Sequence, residues 1–137
     1  MKHALILAAA LALSACATVP IADSPIRSDG LATYGQSTRV GALVVTPQAL
    51  VEDSRCPINA RCIWAGRLVL KTRIDGAGWR ETVDLTLGQP YATHGMGIAL
   101  VSAEPGKLAG SEPSPPASLF RFEPRQSLPP LDCCRHL

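Results

Sequence analysis

Apolar and polar residues alternate along two neighbouring stretches of the chain, and that alternation is its clearest structural signal. On the first stretch Trp64, Gly66, Leu68, Leu70 and Ile74 share one face, opposite Arg67, Lys71 and Arg73. On the second, Val83, Leu85 and Leu87 share a face, opposite Arg80, Thr82, Asp84 and Thr86. A period of two with one apolar side predicts half-buried strands. Asp75-Gly76 between them predicts a hairpin, because a type I′ turn needs positive φ. A turn centred on Gly76-Ala77 slides the register by two and keeps the apolar faces paired. With Asp75-Gly76 central, Arg67 faces Asp84 as a cross-strand ion pair.

The rest of the pattern is shorter in reach. Thr38 to Thr46 suits a strand, with a break or edge bulge at Pro47, and Ala49 to Asp53 continues it. Gly88 to Gly97 reads as a loop, Met96 to Ala103 as a strand ended by Pro105-Gly106, and Ser118 to Phe122 as a last strand with Phe120 and Phe122 on one face. Several short strands with turn signals between them and no helical period predict an all-β fold, an antiparallel sandwich or barrel, of which a small sandwich is favoured, with immunoglobulin-like order as one option. Residues 16–37 lack either period and read as a tether, and residues 124–137, with Pro124, Pro129 and Pro130, read as a tail. The predicted β-domain therefore covers 38–123.

Ahead of the tether stands a different texture. Lys2 gives a positive start, Ala4 to Leu13 form an apolar run, and Leu13-Ser14-Ala15 leads into Cys16. Ten apolar residues fall short of the roughly 20 needed to span a bilayer, and the arrangement is that of an export signal over residues 1–15. Its end resembles the lipobox of bacterial lipoproteins. That resemblance implies cleavage before Cys16, three acyl chains (palmitate among them) on the new N-terminus, and a cell-envelope address. By the same resemblance Ala17, where an Asp would imply retention at the inner membrane, implies the periplasmic face of the outer membrane in a double-membraned bacterium.

Export changes how the charges and cysteines read. Loss of Lys2 takes the 13 basic residues to 12 against 11 acidic ones, which leaves no electrostatic footprint for nucleic acid. Apart from Cys16, four cysteines remain: Cys56, Cys62, Cys133 and Cys134. An oxidising compartment keeps disulfides, and spacing favours Cys56–Cys62, since a bond between adjacent Cys133 and Cys134 is strained.

The densest constellation surrounds that pair: Glu52-Asp53-Ser54-Arg55-Cys56-Pro57-Ile58-Asn59-Ala60-Arg61-Cys62-Ile63-Trp64-Ala65-Gly66. It reads as a stapled turn. Pro57 and Asn59 supply turn chemistry, Asp53 and Ser54 bond loop backbone, and Arg55 pairs with Glu52 or Asp53. Cys62 and Trp64, two apart on a strand, point to one face, so Trp64 is expected to cover the disulfide from inside the core. Trp79, beside the turn, is expected to be the more exposed indole. The segment Asp-Ser-Arg-Cys-Pro followed by Cys-x-Trp-Ala-Gly (Asp53, Arg55, Trp64 and Gly66 among its residues) resembles one found in small bacterial envelope lipoproteins. The likeness extends loosely over residues 38–123 and implies kinship without an activity.

Candidate chemistry is sparse. Five residues between Cys56 and Cys62 fit neither a zinc pair nor a Cys-x-x-Cys redox motif. Asp53, Ser54 and His94 include the types of a triad, but no Gly-x-Ser-x-Gly elbow holds the serine. His94 with Met96 offers an imidazole and a thioether to a soft metal, and Cys133-Cys134-Arg135-His136 offers two thiols and an imidazole. Together these observations lead to a lipid-anchored, non-enzymatic envelope protein with a binding or structural role, a membrane contact through its N-terminal lipid, an envelope protein partner, and no cofactor. A metal-handling lipoprotein is the alternative, with a small hydrolase behind it.

Overall fold

The computed structural model describes residues 25–110 and 115–126. Among the described residues eight strands carry the fold: β1 (Leu31–Thr33), β2 (Thr38–Val40), β3 (Leu43–Asp53), β4 (Leu68–Gly76), β5 (Trp79–Thr86), β6 (Pro90–Thr93), β7 (Met96–Glu104) and β8 (Leu119–Arg125). They form two four-stranded antiparallel sheets, β2-β3-β4-β5 and β1-β8-β7-β6, packed face to face. This is the expected all-β sandwich. Each strand pairs with a neighbour in sequence, except that β8 returns to pair with β1. The order is thus a meander that closes on its first strand, and it does not reproduce the split of the immunoglobulin sheets.

Alternation along the strands builds the core. Leu68, Leu70, Thr72 and Ile74 of β4 are buried in sequence, as are Leu43 and Val45 of β3, Ile98 and Leu100 of β7, and Phe120 and Phe122 of β8. Each fully buried Leu, Ile or Phe contributes about 1.5–3 kcal/mol. The bulge expected at Pro47 is present as a register shift between Pro47 and Ala49, with another between Leu50 and Glu52.

The β4–β5 hairpin keeps the predicted faces but not the predicted turn. Gly76 pairs with Trp79, so Ala77 and Gly78 are the central residues. The positive φ of 79° falls on Gly78, and the Trp79 indole packs where a Cβ on Gly76 would stand. This shift moves Lys71, rather than Arg67, opposite Asp84.

Both ends of the predicted domain move outward. Leu31–Thr33, placed in the tether by the sequence pattern, is a sheet strand: Ala32 is fully buried and pairs with Phe120. At the other end β8 continues through Pro124 to Arg125, pairing with Ile98 and Gly97. Residues 88–97, read as a loop, contain β6 and a tight turn at His94-Gly95, both with positive φ (47° and 74°). The signal, Cys16 and the Cys133–His136 cluster lie outside the described residues.

The registers fix which loops meet. Turns at 41–42, 77–78 and 94–95 lie at one end of the sandwich, and the 54–67 loop and the segment after β7 lie at the other. Edge strand β5 bonds a partner on one side only and turns Glu81 inward, where its Oε1 is buried without a partner. An inward charge of this kind discourages edge-to-edge pairing.

Candidate functional site

Between β3 and β4 the chain makes a 14-residue excursion, 54–67, that carries the whole distinctive motif. Cys56 and Cys62 are bonded, as their spacing predicts. The base of the loop is zipped by backbone bonds: Ser54 N to Arg67 O at 2.8 Å and Cys56 N to Ala65 O at 3.1 Å. Gly66 sits in this zipper at φ 67°, and a Cβ there would lie 1.8 Å from the Ser54 carbonyl oxygen. Only glycine fits that position.

Arg55 is the bolt that holds the loop to the second sheet. Its Nε donates to Asp53 Oδ1 at 2.8 Å and its Nη2 to Asp53 Oδ2 at 2.9 Å. The same guanidinium donates onward to the carbonyls of Ala103 at 2.7 Å and Pro105 at 3.1 Å. The two side chains are only 15% and 12% exposed. The Arg55 guanidinium holds the Asp53 carboxyl below the usual carboxylate range, against a smaller upward pull from burial. Lys107 Nζ donates to the Asp53 carbonyl at 2.9 Å.

A second strap runs from the loop to residues 105–110. Ile58 N bonds Lys107 O at 2.9 Å. The Asn59 amide takes the Ala109 N–H at 2.7 Å and donates to the Ala109 carbonyl at 3.2 Å, completing a backbone-like pair. Ser54 Oγ accepts from Arg67 N at 3.1 Å and donates toward Glu52. Arg67 pairs with Glu52 at 2.7 Å instead of with Asp84. Arg67, followed by Ser54, holds the Glu52 carboxyl low.

What the fastened loop presents is apolar. Ile63 is 95% exposed, Trp64 82% and Ile58 76%. The expectation that Trp64 covers the disulfide inside the core is therefore wrong. Period two begins at Leu68, not at Cys62, because residues 61–67 form no strand and Gly66 bends the chain out of the sheet. Trp79 is instead the half-buried indole, packed on the core and stacked on the His94 ring at 3.8 Å between centroids. The signal for a bound Arg55 was present in Asp53-x-Arg55; its targets on Ala103 and Pro105, about 50 residues away, had none.

The other candidate groups are not brought together. Ser54 lies beside the end of β7 and His94 just before its start, so the length of that strand, roughly 26 Å, separates them. His94 Nδ1 is bonded to Thr93 Oγ1 at 2.8 Å, and Met96 packs against the core. Among the described residues no group of three or more His, Cys, Asp or Glu is placed to hold a metal ion. A shallow groove of about 280 Å³ lined by Val40, Leu43, Met96 and Pro124 lies at the far end of the sandwich from the loop. No family model matches the chain, and no curated protein or solved structure matches it.

Proposed function

We propose that this chain is a lipid-anchored, non-enzymatic envelope lipoprotein whose β-sandwich holds out one rigid loop for binding. The single observation behind the reading is the contrast inside residues 54–67. Their backbone is fixed by a disulfide, two strand-like bonds and the Arg55 bolt, while Ile63 and Trp64 are left in solvent. An exposed Trp and Ile raise free energy in water, and a fold that rigidifies them gains nothing from them in isolation. Rigidity lowers the entropy lost on contact, which is how a pre-ordered loop serves binding. The lipobox-like end at Cys16 and the kinship implied by the motif support the envelope address.

The experiment places a benzophenone-bearing residue at position 64 of the full chain in its host and irradiates intact cells. A specific adduct is expected at 64 and none at Thr82, exposed on β5. Absence of any adduct at 64 overturns the binding role. Mass spectrometry of the mature N-terminus is expected to find acylated Cys16, and a soluble, unmodified Cys16 overturns the anchoring.

A further inference from the structure

The stapled loop and its neighbour share a composition that no other surface of the described residues shows. Among the described residues seven large apolar side chains are exposed, and four of them, Ile58, Ile63, Trp64 and Leu108, lie on segments 54–66 and 105–110. Those two segments contain Arg55, Arg61 and Lys107 and not one Asp or Glu. The bordering carboxylates of Asp53 and Glu52 are held by Arg55 and Arg67, and among the described residues Glu104, at the end of β7, is a nearby acid without an ion pair. The two segments are one surface, because Ile58 and Asn59 bond Lys107 and Ala109 directly.

Where the chain comes from bears on what this surface meets. Arg27 forms a parallel bridge with Thr38 on β2, which runs away from the stapled end. Residues 25–27 therefore arrive from the side of the loop. Pro25 is nine positions after Cys16, a fully extended reach of about 30 Å. From the level of Arg27, set by Thr38 opposite Val45, to Asp53 is the span of β4 from Ile74 to Leu68, six residues or about 20 Å, because β3 is bulged twice on the way. An acylated Cys16 and the loop can thus rest on one plane.

We infer that the ligand of the loop is the lipid surface itself: Ile63 and Trp64 enter the interface of the membrane that holds the acylated N-terminus, with Arg61 on its anionic headgroups. The inference rests on the reading of the loop as a binding element. Indole favours the level of the headgroups, and aliphatic neighbours carry the contact a few Å deeper. Cations at the rim gain from anionic lipid, and carboxylates, which lose, are missing from both segments. The interaction orients the sandwich with its 41–42, 77–78 and 94–95 turns pointing away from the bilayer.

The test uses the acylated full chain in vesicles of phosphatidylethanolamine and phosphatidylglycerol, with Trp79→Phe so that emission reports Trp64 alone. The indole is expected to shift to the blue, to be quenched by phosphatidylglycerol brominated on its chains, and to be shielded from aqueous iodide. Arg61→Gln is expected to lower the ratio of bound to free loop about fivefold on these vesicles and to leave it unchanged on phosphatidylcholine. Trp64 that stays open to iodide and blind to brominated lipid overturns the inference. A nitroxide on a cysteine at position 63, read by its depth in the same vesicles with Trp79 intact, gives the answer should Trp79→Phe not fold. A benzophenone adduct from position 64 to a polypeptide, with no lipid contact in vesicles, overturns the membrane assignment while the binding role stands. No adduct of either kind removes both.

Discussion

Arg55 and Trp64 stand nine residues apart in one motif and do opposite things. Arg55 makes a bidentate pair with Asp53 and reaches the Ala103 carbonyl of β7 and the Pro105 carbonyl just past it while largely shielded from water. Removing one partner of such a pair leaves a desolvated carboxylate and unmet carbonyls, so Arg55→Ala is expected to cost about 2–4 kcal/mol in denaturant unfolding. Arg55→Lys is expected to restore only part of it, because an ammonium cannot make the same fork. Trp64→Ala, in contrast, removes an indole that touches little, and its cost is expected to stay within about 0.5 kcal/mol. A Trp64→Ala loss as large as that of Arg55→Ala would show that the indole is packed. The same ion pair sets a pH dependence. The folded pKa of Asp53 lies below its ordinary value, chiefly through its hydrogen bonds from Arg55. Its contribution is therefore complete above the ordinary carboxylate range, about pH 4, and fades as pH falls through the lower folded value. Comparing unfolding at pH 6 and pH 3, Arg55→Met is expected to lose less stability than wild type over that interval, and an equal loss would disprove the linkage.

At the scale of elements, the disulfide and the strands around it show what a local pattern can and cannot specify. Six residues of separation made Cys56–Cys62 readable, and closing so short a loop is worth roughly 2 kcal/mol in the chain-entropy model. Replacing both cysteines by Ser is expected to lower stability by about that amount, because the Arg55 bolt and the Asn59–Ala109 pair remain; calorimetry of the two proteins measures it. Wholesale unfolding would mean that those hydrogen bonds do not hold the loop without the staple. Strands β4 and β5 were legible because each alternates more and less exposed side chains over most of its length, and β7 and β8 because each carries a compact apolar cluster, Ile98-Ala99-Leu100 and Phe120 with Phe122. Strands β1 and β6, of three and four residues, were not, since a period of two is barely defined over so short a run. The orientation of Trp64 failed for a related reason. Parity was extended backward from Leu68 through Gly66, and a positive φ there breaks the alternation on which parity rests. The hairpin turn slipped by whole pairs for want of any local feature favouring Asp75-Gly76 over Ala77-Gly78 once both preserve the apolar faces. The apolar tip of the loop was written in Ile63-Trp64, but its exposure depended on where the strand would begin.

The whole molecule depends on a closure that joins its first described strand to its last. β1 pairs with β8 through Leu31, Ala32 and Thr33, and Phe122 N bonds Gly30 O at 2.8 Å. Tyr34 extends the seam by donating to Ala117 O at 2.9 Å and meeting the Phe120 ring edge-on at 5.2 Å. Gly35 N then bonds Pro47 O on the other sheet at 2.8 Å, so this short segment ties the two layers together. Residues 25–37 accordingly belong to the folded body. A chain begun at Thr38 is expected to lose all of these contacts and to bare the β8 edge, with Phe120 and Phe122 no longer covered on that side. An uncovered strand of this kind is a template for pairing with another copy. The shortened chain should melt well below one begun at Pro25 and should scatter light on heating, while the longer one keeps every hydrogen bond just named. Equal midpoints for the two would show that β8 needs no partner at that edge, and the boundary of the domain would return to Thr38.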